Sequence, residues 1–206
     1  MKADQFETII FDLGGVIIDL NYDLTRSAFE ELGLADFQST YSQFSQSSLF
    51  DDYETGKISS QRFINTLLPH LPNGCTANEV VHAWNAMIMS VPQAKIALLD
   101  KLRTDKNRIY LLSNTNEIHM QKVRREWGKV TERSMESFFD RMFLSYEIGL
   151  RKPDVEIFEY VCGKIGSDPG KVLFIDDSPQ HIEGAKRAGL YALHLTDPTD
   201  LYTVFS

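Results

Sequence analysis

The sequence predicts an α/β protein: a parallel sheet covered on both faces by helices, with a helical insertion after the first strand. Three observations carry this reading. Short runs of apolar, β-branched or aromatic residues at positions 8–11 (T-I-I-F) and 108–112 (R-I-Y-L-L) read as buried strands, those at 142–144 and 172–175 as strands, and 190–195 as a candidate last strand. The intervals between the later runs carry helical periodicity, and strands that alternate with helices imply a parallel sheet. Between Tyr22 and Met89 the pattern is helical throughout, with no strand evident.

Taken in order, the first strand stops at Asp12, where Gly14 and Gly15 allow a sharp turn and a close backbone approach to a ligand. Positions 16–20 are again apolar. Leu24, Ala28, Phe29 and Leu32 mark the first helix, which Gly33 ends. A second segment near residues 48–54 stops at Gly56. Ser59 or Ser60 caps a third helix bearing Phe63, Ile64, Leu67 and Leu68. Thr76-Ala77-Asn78-Glu79 fits a capping box ahead of a stripe of Val80, Val81, Trp84, Met87 and Ile88. About four helices packed as a bundle account for this region. The Ser/Gln-rich piece at 38–48 reads as a loop or a polar helix face, and Asp51-Asp52 as a cap or a solvated pair.

Pro92 starts the next helix, with Ala94, Ala97, Leu98 and Leu102 on one side. Helices with Met120, Val123 and Trp127, then with Ile157, Phe158, Val161, Cys162 and Ile165, then from Pro179 to a stop at Gly189, follow the later strands. Arg124-Arg125-Glu126 reads as a solvated helix face.

Composition sets limits. The 206 residues carry 21 basic and 29 acidic side chains, a net charge of −8. That balance argues against a nucleic-acid or anionic-membrane partner, while one Lys and one Mg²⁺ suffice to bind a small anion locally. Cys75 and Cys162 form neither a metal spacing nor a disulfide framework. No run approaches membrane-span length, and the polar residues 1–6 lack an apolar export segment. The expectation is a cytoplasmic protein, a monomer or weak homo-oligomer.

The polar residues fall where chemistry needs them. Asp12, Ser113-Asn114 and Asp176-Asp177 each end an apolar strand, so all should meet at the carboxyl edge of the sheet, and Lys152, just before a helix, can point there too. Asp12 suits a nucleophile, since carboxylates form aspartyl-phosphate intermediates. It also suits a metal ligand. Asp177 is the second carboxylate for Mg²⁺, the Gly14 carbonyl a backbone ligand, and Asp176 an acceptor that orients a bound water. Lys152 offsets phosphoryl charge and holds Asp12 ionised. Ser113, Asn114 and the backbone at Leu13 and Gly14 would hold phosphoryl oxygens. Plainer roles stay open: Ser113 and Asn114 as helix N-caps, Asp176-Asp177 as a turn or cap.

These stretches together resemble the haloacid dehalogenase-like superfamily, and within it the phosphatases with a helical cap after the first motif. The matches are F-D-L-G-G-V-I at 11–17, L-L-S-N-T at 111–115, G-L-R-K-P-D at 149–154 and F-I-D-D-S at 174–178, with D-Y-E-T-G-K-I-S at 52–59 resembling the cap. The resemblance implies a Rossmann-like three-layer parallel-sheet core formed by residues 1–18 and 91–206, and a four-helix-bundle cap at 19–90. It implies a Mg²⁺-dependent phosphatase of a small phosphorylated metabolite, such as a sugar phosphate, in which Asp12, Lys152 and Ser113 are catalytic. It also exposes a departure. Most phosphatases of this superfamily carry an Asp two residues after the nucleophile to protonate the leaving group, and here that residue is Gly14. Asp19 and His119 are candidates for that proton transfer, against the plainer readings of a hinge carboxylate and a solvated histidine. Two other readings are a metal-free 2-haloacid dehalogenase, which needs no Asp176-Asp177 pair, and a phosphometabolite-binding protein with little activity.

Overall fold

The computed structural model describes residues 6–34, 48–104 and 107–205. Most of the Ser/Gln-rich piece at 38–48, and residues 1–5 of the N-terminal segment, lie outside the described residues. Five parallel strands form one sheet: β1 (Thr8–Phe11), β2 (Arg108–Ser113), β3 (Arg141–Leu144), β4 (Val172–Asp176) and β5 (Tyr191–His194), in the order β3-β2-β1-β4-β5. Phe11 pairs with Leu111 on one side and Ile175 on the other. The order reverses direction at β1, so the crevice beyond β1 and β4 is the topological switch point where such sheets bind ligands.

The helices are α1 (Tyr22–Glu31), α2 (Leu49–Glu54), α3 (Ser60–Leu67), α4 (Ala77–Asn85), α5 (Gln93–Thr104), α6 (Glu117–Trp127), α7 (Ser145–Ile148), α8 (Val155–Ile165), α9 (Pro179–Arg187) and α10 (Leu201–Val204). Strand alternation sorts the core into two faces. Ile9, Phe11, Ile109, Leu111, Leu173 and Ile175 pack with Leu99 of α5, Met120, Val123 and Trp127 of α6, and Leu201. Ile10, Leu112, Phe143 and Phe174 pack with Ile157, Phe158 and Val161 of α8 and with Ile182 of α9. The result is three layers.

Helices α1–α4 lie between β1 and β2 and have a cluster of their own: Phe29, Phe50, Tyr53, Phe63, Leu67, Val80 and Trp84, joined by Ile118 of α6. Phe63 sits 4.3 Å from the Tyr53 ring and 4.8 Å from Trp84. The capping box at α4 is present, with Thr76 Oγ1 accepting from Glu79 N–H and Glu79 accepting from Thr76 N–H. Two short extended segments connect the insertion to the sheet domain. Asp19 N–H donates to Ser90 O (2.9 Å), Met89 N–H to Asp19 O (3.1 Å) and Asn21 N–H to Met87 O (2.9 Å).

The helical stripes are shifted in places. Leu24 is 40% exposed, while Thr25 is buried because its hydroxyl donates to Trp84 O at 3.2 Å and accepts from Met87 N–H at 3.1 Å. In α5, Ala94 and Ala97 are exposed, and Lys95, Ile96 and Leu99 point inward with Leu98 and Leu102. Glu126 is buried rather than solvated, held by Lys122 at 2.5 Å and Lys129 at 2.7 Å. Among the described residues, no helix is long and apolar enough to cross a membrane.

Candidate active site

The carboxyl ends of β1, β2 and β4 converge on one cation. Lys152, in the loop between α7 and α8, is completely buried. Its Nζ donates to Asp12 Oδ1 at 2.6 Å, to Asp176 Oδ2 at 2.6 Å and to Leu112 O at 3.0 Å. Asn114 fixes this loop: its amide donates to Lys152 O at 2.8 Å and its Oδ1 accepts from Lys152 N–H at 2.9 Å. Oδ1 and one N–H of Asn114 are thereby committed to Lys152, leaving one N–H for any other partner. Ser113 is buried, and its hydroxyl makes only a long 3.4 Å bond to Asn114 O. The N-cap of α6 is Asn116, which accepts from His119 N–H, so neither Ser113 nor Asn114 serves as that cap.

The two adjacent carboxylates differ. Asp176 is wholly buried, and besides Lys152 it accepts from Ser178 N–H at 2.8 Å and from His181 Nδ1 at 2.9 Å. Lys152 and His181 hold its carboxyl below the usual carboxylate range in spite of burial. In this structure it tethers Lys152. Asp177 is exposed, and its carboxylate lies against Gly15, whose φ is +68°. A Cβ there would collide with Asp177, so glycine serves both the left-handed turn and the close approach. Burial, with the negative charge of Asp176 beside it, pushes the Asp12 carboxyl up to about 7, although Lys152 and the Leu13 N–H pull it down.

Asp12, Asp176 and Asp177 each bring one oxygen within 4.8 Å of the others. Three hard oxygen donors at a strand edge, one of them exposed, fit Mg²⁺, which takes one or two carboxylates and keeps room for water and phosphate.

Comparison with known proteins decides the family. The family model of haloacid dehalogenase-like hydrolases matches residues 6–189. The chain belongs to the haloacid dehalogenase-like hydrolases. Among curated relatives of this family, D-ribitol-5-phosphate phosphatase of Bacteroides thetaiotaomicron is 33% identical over 190 residues, covering 90% of this chain and 89% of that one. A sesquiterpene phosphatase of Aspergillus oryzae is 27% identical over 198 residues, covering 93% and 91%. A HAD family enzyme of Bacteroides thetaiotaomicron, crystallised with magnesium and inorganic phosphate, superposes with a TM-score of 0.85 at 31% identity, covering 92% of this chain and 93% of that one.

Neither candidate for the missing acid of this family is free. Asp19 is held between the two connecting segments, its Oδ2 accepting from Ser90 Oγ at 3.0 Å. His119 stacks on Trp84 and has both ring nitrogens engaged, one with Trp84 O at 3.0 Å and one with Asn116 Nδ2 at 3.1 Å. Burial pushes it down to about 4, so the ring is neutral at pH 7. His181 carries no plain signal in the sequence, and Arg151 and Glu54, which pair with each other at 3.1 Å next to Lys152, lie inside the stretches at 149–154 and 52–59 but end no strand. His181 lies five residues past Asp176, and that spacing, which places it one turn into α9, is the one available cue.

Proposed function

We propose that this hydrolase is a Mg²⁺-dependent phosphomonoesterase of a small phosphorylated polyol or sugar, working through an aspartyl phosphate on Asp12. The observation that carries the reading is the buried Lys152 ammonium held equally by Asp12 and Asp176, with Asp177 beside them at the open strand edge. A lysine so placed favours the ionised form of Asp12 against the effect of burial and presents positive charge where a phosphoryl group would lie. Asp12 attacks phosphorus, the alcohol departs, and water hydrolyses the acyl phosphate. Ser113 Oγ, the remaining N–H of Asn114 and the backbone at Leu13 and Gly14 hold the phosphoryl oxygens. Mg²⁺, held by Asp12, Asp177 and the Gly14 carbonyl, would supply further neutralisation of phosphoryl charge. Likeness to a ribitol-phosphate phosphatase supports a polyol phosphate substrate.

The connecting pairs at Asp19–Ser90 and Asn21–Met87 support a division into a catalytic core, residues 1–18 and 91–206, and a cap, residues 19–90, that closes over the site. A dehalogenase reading leaves Asp177 without a purpose, since metal-free attack on carbon needs no exposed carboxylate there. The test is hydrolysis of p-nitrophenyl phosphate. Wild type is active with Mg²⁺ and silent with EDTA, and Asp12→Asn lowers turnover by about 10³-fold or more. Unchanged turnover in Asp12→Asn overturns the covalent route, and unchanged turnover in EDTA overturns the metal.

A further inference from the structure

The route above leaves one proton without a carrier. An alkoxide leaving from phosphorus needs a proton, and the residue two past Asp12 is Gly14. A Cβ on Gly14 would strike the Leu20 side chain, so hydrocarbon fills the place an acid would take. Asp19 and His119 are tied elsewhere, as described. At Gly14, therefore, the core supplies no acid.

The insertion does. Glu54 is the last residue of α2, and its side chain is 24% exposed. Its Oε2 accepts from Arg151 Nη2 at 3.1 Å, and Arg151 Nη1 also pairs with Asp51. Arg151 immediately precedes Lys152, and Glu54 lies close enough to Lys152 for the charges to attract. The turn after it is seated on the core: Gly56 has φ +68°, and a Cβ there would strike the Tyr146 carbonyl. Tyr53 adds a second anchor. Its hydroxyl accepts from Ile118 N–H at 3.3 Å and bonds Ser60 Oγ, which donates to Glu117. Glu54 is thus held at Arg151, next to Lys152 in the chain, by contacts on both sides of it.

On the phosphatase reading, we propose that Glu54 is the acid and base of this reaction, supplied from the insertion in place of the residue missing at Gly14. As the bond from Asp12 oxygen to phosphorus forms and the bond from phosphorus to the ester oxygen breaks, the proton of Glu54 passes to that oxygen and the alcohol leaves neutral. The Glu54 carboxylate then takes a proton from the water that attacks the aspartyl phosphate, which restores both carboxyl groups. Burial pushes the Glu54 carboxyl up to about 7, against Lys152. Arg151 opposes the rise from the core side, and Asp51, on the same helix, shares Arg151. Both protonation states are accessible near neutral pH, as an acid–base catalyst requires. The acid is in place only while the insertion is docked, so protonation waits for closure.

The test compares two esters with Mg²⁺ present: β-glycerol phosphate, whose alkoxide needs a proton, and p-nitrophenyl phosphate, whose phenolate leaves without one. Glu54→Gln should lower kcat on the alkyl ester by about 10²-fold or more and on the aryl ester by less than about 5-fold. Asp51→Asn, which loosens the Arg151 clamp and keeps the acid, should leave the ratio of the two rates as in wild type. In wild type, kcat on the alkyl ester should fall on the alkaline side near neutrality while the aryl ester does not follow. An equal loss on both esters in Glu54→Gln, or identical alkaline limbs in wild type, overturns the assignment. A wild type without Mg²⁺-dependent turnover of either ester overturns the phosphatase reading itself.

Discussion

Two buried clusters lie side by side in this molecule and are held by opposite physics. At the strand ends, Asp12, Lys152 and Asp176 are 7%, 0% and 0% exposed, and each is tolerable in that position only because the others are present. In the insertion, Phe50, Tyr53, Phe63 and Trp84 pack ring against ring, stacked or tilted, at centroid distances of 4.3 to 6.2 Å, and burial of each is favourable by itself. The first cluster is therefore strongly coupled and the second more nearly additive. A site that needs a defined charge at a defined atom belongs in the first. The second can flex and repack without losing its reason to stay folded.

The largest expected effect breaks the charged cluster. Lys152→Met removes the cation shared by Asp12 and Asp176 and leaves Asp176 with only His181 and the Ser178 N–H, so urea denaturation should show a loss of about 3–5 kcal/mol. Turnover of p-nitrophenyl phosphate should fall by about 10²–10³-fold or more. In an Asp12→Asn background the same substitution should cost clearly less, and equal costs in the two backgrounds would contradict the coupling. Phe63→Ala should also cost about 3–5 kcal/mol, through a cavity among the rings. It should reduce turnover only as far as the insertion loosens, with p-nitrophenyl phosphate hydrolysis near wild type below the unfolding transition. The smallest effect is at the edge of the aromatic region. Thr76→Ala removes the N-cap of α4 at a cost of about 1 kcal/mol, and combined with Phe63→Ala the losses should sum.

Much of the fold is legible in the sequence because its signals are local. A strand core of four to six apolar residues announces itself, and a polar residue directly after it must lie at the carboxyl edge. For this reason the chain positions of Asp12, Ser113, Asp176 and Asp177 are enough to group them. The capping box at Thr76 is local in the same sense. Burial within short helices is less legible. Alanine has little hydrophobic area to decide a face, so Ala94 and Ala97 face outward against the pattern, and Lys95 takes an inward position because Pro198 O accepts its Nζ. Thr25 displaces Leu24 from the interior by satisfying its hydroxyl against backbone 59 residues away.

The sequence by itself determined the layered sheet, the side of it that bears the chemistry and the family, because period and strand-end position are properties of neighbours along the chain. Tertiary structure alone decided which carboxylates share Lys152, that Asp176 tethers while Asp177 faces outward, and that Arg151 reaches Asp51 and Glu54 across about 100 positions. Such pairings depend on how separate elements dock. A charged residue in isolation reads as solvated, and only the packed molecule shows what it faces.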